Sequence, residues 1–98
     1  MPRHIYTKED PPTGYKAISG DTGETPDTAV EVPFGITSEC LHIENTGSVD
    51  ISISLDGGET YFTLSAEQTV DIDVMRTSMY VQSSGTSVPF IVLVGGGL

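Results

Sequence analysis

The sequence predicts an all-β domain: a single small β-sandwich or jelly roll of about seven antiparallel strands, preceded by an extended N-terminal arm. Apolar and polar residues alternate with a period of two in several short segments, as half-buried strands require. Clusters of Gly, Asn, Asp and Ser separate those segments, and such clusters are typical of tight turns. No stretch of ten residues has a helical period, so nothing favours a helix.

The predicted strands all lie in the second part of the chain. In the first of them, apolar residues alternate with Glu31, Pro33 and Gly35, and Pro33 places this strand at a sheet edge because proline cannot donate to a neighbouring strand. Gly95-Gly96-Gly97 is predicted not to add to a strand, since glycine loses the most entropy on ordering. The predicted strands span residues 30–36, 41–44, 51–55, 61–64, 70–74, 79–81 and 90–94.

The chain divides near residue 28. Its 98 residues suit one domain, which we place at 29–98. Residues 1–28 hold four prolines and three glycines without apolar periodicity, and this composition predicts an extended arm. The arm still carries apolar side chains that a solvated tail does not need. We therefore expect it to lie on a surface, its own or a neighbour's, and to order on docking; these anchors are Ile5, Tyr6, Tyr15 and Ile18.

Charge is distributed unevenly along the chain. The formal net charge is -10, from 14 acidic and 4 basic residues, and three of the basic residues are Arg3, Lys8 and Lys16. From residue 29 onward, Arg76 is the only basic residue and faces nine acidic ones. Such a body repels nucleic-acid phosphates and anionic membranes, so we expect neither as a partner.

Targeting signals and cysteine usage favour synthesis in the cytoplasm. The first residues contain no apolar h-region of a signal peptide, and no apolar run approaches the ~20 residues that span a bilayer. Cys40 is the single cysteine, so no intrachain disulfide forms. These features fit a protein made in a reducing compartment.

Residues 54–61, SLDGGETY, resemble the Asp-box, the S-x-D-x-G-x-T-aromatic hairpin of sialidases and other β-proteins. In those families the motif is a structural turn and not a catalytic site. The residue chemistry agrees, because the Asp56 carboxylate can accept hydrogen bonds from turn amides while Gly57 and Gly58 tolerate positive φ. The chain has one copy, whereas propellers carry several. We therefore interpret these three residues as a structural turn.

Two carboxylates lie close together on one predicted strand. Asp71 and Asp73 are two residues apart and so share a face. With Asp50 or Asp56 nearby, they offer oxygen ligands of the kind that Ca²⁺ prefers. No EF-hand spacing is present, and a solvated strand face is the favoured interpretation.

Cys40, His42 and Glu44 also share a predicted strand face. A closed zinc site needs four ligands, and no second Cys or His pair follows. A Cys–His nucleophile pair needs an orienting third group and an oxyanion hole, for which the sequence has no motif. We therefore expect Cys40 to act as a small apolar residue and His42 to lie on the surface, and we predict no metal, no cofactor and no enzymatic activity.

The run LHIENTGSVDISISLDGGETYFTL, residues 41–64, resembles small virion structural proteins of tailed bacteriophages. Residues 65–74 and 79–85 continue the likeness, which covers about half of the chain. The resemblance implies a capsid decoration (cementing) protein that stabilises the head by binding across neighbouring capsid subunits. It implies the major capsid protein as partner, a homo-oligomer with a trimer favoured, and a place on the outer head surface after synthesis in the host cytoplasm.

The resemblance also gives the arm a role. Its apolar residues would act as anchors on the capsid, and Arg3, Lys8 and Lys16 would pair with capsid acids. Three alternatives stay open: a neck or tail component, a receptor- or carbohydrate-binding β-module, and a cytosolic interaction domain. For a carbohydrate site, Tyr61 and Tyr80 are the candidate aromatic residues outside the arm. Fold alone does not separate these functions.

Overall fold

The computed structural model describes residues 16–97 and confirms the all-β fold. These residues form eight strands in two antiparallel four-stranded sheets, one more strand than the sequence predicted. The first sheet has the order β1-β8-β3-β6 and the second β2-β7-β4-β5. The strands are β1 (Lys16–Asp21), β2 (Val30–Pro33), β3 (Thr37–Asn45), β4 (Ile51–Ser54), β5 (Phe62–Leu64), β6 (Thr69–Ile72), β7 (Ser78–Gln82) and β8 (Pro89–Gly97).

The pairing follows one simple rule. β1 pairs with β8, β2 with β7, β3 with β6 and β4 with β5, all antiparallel. The chain therefore resembles one long hairpin whose successive pairs alternate between the two sheets. Pairing of β3 with β8 joins the two strand pairs of the first sheet, and pairing of β4 with β7 joins those of the second.

The core lies between the sheets and follows from the period-two alternation. On β3, Leu41 and Ile43 are buried while His42 between them is partly exposed. Burying each such aliphatic side chain contributes about 1.5–3 kcal/mol. Both sheets contribute to the one core; its buried apolar residues are Val32, Phe34, Leu41, Ile43, Ile51, Ile53, Leu64, Met79, Val81, Val88, Phe90, Val92 and Val94.

β2 lies at a sheet edge, as the proline at position 33 predicted. The strand ends there, three residues earlier than predicted, because Gly35 takes a positive φ of 80° and turns the chain into β3. Phe34 is nevertheless fully buried and Ile36 packs against the core. Apolar alternation therefore continued through a turn, which is why the sequence suggested a longer strand.

β1 lies within the segment that the sequence assigned to the arm. All six of its residues pair with β8, so the sheet extends at least back to Lys16 rather than beginning at residue 29. Only Ile18 is partly buried in this strand, and the other five side chains are exposed. Backbone hydrogen bonds to β8 hold the strand, and so it lacks the apolar alternation that marks the others.

The C-terminal glycines are part of β8, which corrects the prediction that they add no strand. Gly95, Gly96 and Gly97 pair with the start of β3, where a bulge between Ser38 and Cys40 shifts the register. A methyl group on Gly96 would overlap the Thr37 carbonyl oxygen. Close backbone approach thus requires glycine here, and the pairing offsets its entropic cost.

The two ends of the sandwich differ. The end away from Lys16, which we call the opposite end, contains loops 22–29, 46–50, 65–68 and 83–88. Hydrogen bonds between these loops hold them together. The terminal end, as we call it, holds the start of β1, the end of β8 and the turns after β2, β4 and β6. The first described residue therefore lies at the same end as these turns, with its ammonium beside Gly35 in the turn after β2.

Candidate functional site

Most of the predicted arm contacts lie outside the described residues. Arg3, Ile5, Tyr6, Lys8 and Tyr15 belong to this group, and their roles stay predictions.

The other two arm residues, Lys16 and Ile18, lie on β1. Ile18 packs against the chain's own core, so it is not free to anchor on a neighbouring molecule. Lys16 is exposed, and its ammonium lies so close to Gly35 that a methyl group there would meet Nζ at 2.6 Å. Lys16 thus lies on the surface beside the turn after β2.

The hairpin of residues 54–61 has the hydrogen bonds of a structural turn. Asp56 Oδ1 accepts from the amides of Glu59 (3.1 Å) and Thr60 (3.0 Å), and Oδ2 accepts from the Thr60 hydroxyl. The buried Ser54 hydroxyl donates to Asp56 and accepts from the Gly58 amide at 2.8 Å. Gly57 and Gly58 take φ values of 82° and 94°, which a side chain would disfavour.

These bonds also determine the ionisation of Asp56. Hydrogen bonds from the Thr60 side chain and amide, and then from Ser54, hold the pKa of the Asp56 carboxyl far below its usual value. The carboxylate therefore stays ionised at any physiological pH. Such a group serves as a hydrogen-bond acceptor for the turn and not as a general acid.

Cys40, His42 and Glu44 lie on the outer face of the first sheet. Their neighbours Leu41 and Ile43 point into the core, so the predicted shared face is present. His42 Nδ1 lies 2.6 Å from Asp71 Oδ1, and these residues are directly opposite in the β3–β6 register.

Metal ligation receives no support on this face. Among residues 16–97, no three or more His, Cys, Asp or Glu side chains come together as a group able to hold a metal ion. Asp50 accepts a hydrogen bond from the Ala66 amide, and Asp56 is held in its own turn. Both carboxylates thus accept hydrogen bonds from backbone amides and do not join Asp71 in a shared group.

The candidate sugar-binding aromatics have different environments. Tyr80 is half-buried on β7, where its cross-strand neighbours are Glu31 and Ser54. Tyr61 is exposed, but its hydroxyl lies near Gly58, 3.4 Å from where a methyl group on that glycine would sit. Tyr61 therefore packs along the hairpin in the place of the motif's aromatic residue.

A groove at the terminal end was not predicted from the sequence. It consists of two adjoining open depressions of about 380 and 320 Å³, which share Thr37 and Thr77 as lining residues. Gly35 and Ile36 line one of them, and Met75 and Arg76 line the other. We call this feature, with Lys16 at its rim, the cationic groove.

Backbone hydrogen bonds fix the shape of the groove. Ser38 is fully buried; its hydroxyl accepts from the Arg76 amide at 2.9 Å, and its own amide donates to the Arg76 carbonyl at 2.8 Å. The Phe34 amide donates to the Thr77 carbonyl at 2.9 Å. These bonds tie the turn after β6 to the start of β3 and to the turn after β2.

The groove gathers the positive charge of the described chain. Lys16 and Arg76 are the only lysine and arginine among residues 16–97, and both lie at this groove. The Arg76 Nε atom is buried and has no hydrogen-bond partner within the part of the chain that the structure describes. The two cations, at positions 16 and 76, are 60 residues apart in the sequence. No local sequence motif therefore predicts the groove.

Comparison of the chain with protein-family models, with curated protein sequences and with solved structures found no match. Residues 16–97 contain no helix that is long and apolar enough to cross a membrane.

Proposed function

We propose that this chain is a non-enzymatic virion structural protein, a decoration protein that binds across neighbouring capsid subunits on the outer head surface. One structural observation supports the proposed mode of attachment. The start of β1 and both cations of the described residues lie at one end of the sandwich. Two cations beside the start of β1 suit a protein that attaches to a shell through this end and faces solvent elsewhere.

The charge distribution supports an outward position. Twelve acidic residues lie within 16–97 against two basic ones, and they occur on both sheets and in the loops. Such a surface would repel packaged nucleic acid, so the outside of a head suits it better than the inside. The two cations among residues 16–97 lie at the end where β1 begins.

The strand order supports the same proposal. We interpret the pairing of β1 with β8, β2 with β7, β3 with β6 and β4 with β5 as a jelly roll. That fold is found in viral capsid proteins and also in lectins. The resemblance of residues 41–64 to phage virion proteins favours the first of these, and the packing of Tyr61 along its own hairpin weakens the second.

Quantitative mass spectrometry of purified particles tests the proposal. The measurement is the copy number of this chain relative to the major shell protein. Hundreds of copies would support decoration of the head lattice, and about a dozen would transfer the protein to the neck or tail. Its absence from particles would refute a virion role.

A binding assay tests the arm itself. Particles stripped of this protein are incubated with the purified chain and sedimented. Tyr6→Ala and Tyr15→Ala should each weaken binding, because both side chains are predicted anchors. A Tyr80→Phe variant is the control, since it alters an aromatic residue on the body. Unchanged binding of both arm variants would exclude these anchors.

A further inference from the structure

The cationic groove combines two features that favour a partner of specific chemistry. Its lining is partly apolar, and Met75 has 72% of its surface exposed. Its charge comes from Lys16 at the rim and from Arg76, whose Nε is buried without a partner among the described residues. Arginine binds carboxylates through paired hydrogen bonds, so the complementary partner is a peptide with adjacent apolar and acidic residues.

One segment of this chain has that composition. Residues 1–15 contain Ile5 and Tyr6, followed by Glu9 and Asp10. These are the only acidic residues outside the described range, and their two adjacent carboxylates are opposite in charge to Lys16 and Arg76. Every copy of the protein thus contains both a groove and a segment complementary to it.

The chain geometry favours a second copy over the groove's own chain. Lys16 lies at the rim, and Asp10 precedes it by six residues that include Pro11-Pro12. Pro11-Pro12 favours the extended polyproline conformation, and at its rise of about 3.1 Å per residue a six-residue stretch spans roughly 19 Å. The carboxylates therefore reach a neighbour's groove more easily than their own.

We propose that the cationic groove binds the N-terminal segment of a second copy of this chain, with Glu9 and Asp10 pairing with Lys16 and Arg76. The contact joins different surfaces of the two copies. A contact of this type closes into a ring or continues as a chain, and it needs no other protein. The proposal is therefore independent of a virion role.

Charge exchange tests the pairing. We would measure self-association of the full chain by sedimentation velocity over a range of concentrations. The unchanged chain should associate, and Arg76→Glu alone or Glu9→Lys with Asp10→Lys alone should each weaken association by about tenfold or more. Mixing the two variants should restore it, because the unchanged groove of the Glu9→Lys, Asp10→Lys variant then meets the unchanged segment of the Arg76→Glu variant.

A matched control separates pairing from net charge. Glu9→Gln with Asp10→Asn removes two negative charges and should weaken association. Glu24→Gln with Asp27→Asn removes the same charge from the opposite end and should leave association unchanged or strengthen it. The Glu9 and Asp10 variants leave the core intact, so the comparison holds even where an Arg76 variant folds poorly.

The location of the contact has its own readout. Amide resonances of Ile36, Thr37 and Thr77 should shift as the unchanged chain is concentrated, and they should not shift in the Glu9→Gln, Asp10→Asn variant. A chain that stays monomeric at every concentration would overturn the proposal. So would equal effects of the two neutralised variants, or failure of the mixed variants to associate.

Discussion

Asn45 shows how much one buried polar side chain can determine. It is fully buried at the end of β3, and its amide nitrogen donates to the carbonyls of Val49 (2.9 Å) and Leu64 (3.1 Å). Its Oδ1 accepts from the Gly47 amide at 2.9 Å. The residue therefore fixes the turn after β3 and joins it to β5 in the other sheet.

Replacing Asn45 should be costly for that reason. Asn45→Ala leaves two carbonyls and one amide without a partner, and we expect a loss of about 2–3 kcal/mol in the free energy of unfolding. Asn45→Asp should cost more, because a carboxylate cannot donate to two carbonyl oxygens. Urea unfolding followed by circular dichroism measures both, with the exposed Thr46→Ala as control. Equal stability of all three variants would contradict this account.

Asp56 makes stability depend on acid pH. Its pKa is lowered in the folded state, while an unfolded Asp titrates near 3.9. The bonds to the turn therefore contribute fully above that pH and are lost as pH falls below it. Asp56→Asn should lower the melting temperature at pH 7, and this difference should shrink towards pH 2. Glu59→Gln, whose amide rather than carboxylate joins the turn, should show no such trend.

At the scale of elements, the pairing of β8 with the start of β3 depends on two glycines of β8, for two different reasons. At Gly96 the obstacle to a side chain is the Thr37 carbonyl, which is backbone. At Gly95 the obstacle is the Cys40 sulfur, 2.9 Å from where a methyl group would lie, and that side chain is able to rotate. The two glycines should therefore differ in their tolerance of substitution.

We expect Gly96→Ala to destabilise the fold by about 2 kcal/mol or more, and Gly95→Ala by less. Combining Gly95→Ala with Cys40→Ala should remove most of the smaller loss, whereas Cys40→Ala should not rescue Gly96→Ala. Thermal unfolding of the four variants measures these differences. Equal rescue at both positions would show that the backbone is not the obstacle at Gly96.

The strands that the sequence predicted share one property. Each has apolar side chains to bury: four of them show alternation of apolar and polar residues, with Ile51 and Ile53 buried on β4, and the other three are short apolar runs. β1 and the glycine end of β8 escaped prediction because backbone pairing holds them and side-chain burial contributes little. The Asp56 turn followed from a local motif. The cationic groove did not, because residues 35–37 and 75–77 meet only in the folded chain.

At the scale of the whole molecule, the position of both described cations at one end gives the sandwich a direction. Its opposite end is held by contacts between loops, such as the Ser83 hydroxyl that donates to the Asp50 carbonyl at 2.7 Å. Its terminal end carries the groove and the point where residues 1–15 join β1. The proposed attachment and the stability of the fold would therefore depend on different parts of the chain, and experiments can separate them.

Two truncations separate them. A chain that lacks residues 2–15 keeps β1 and the packing of Ile18, so its unfolding midpoint in urea should match that of the full chain. A chain that lacks residues 2–21 exposes the edge of β8 and should unfold at much lower urea. Because the anchors and the acidic pair lie within residues 1–15, the first truncation should already abolish particle binding and self-association. A large loss of stability in the shorter truncation would show that attachment and folding are not separable.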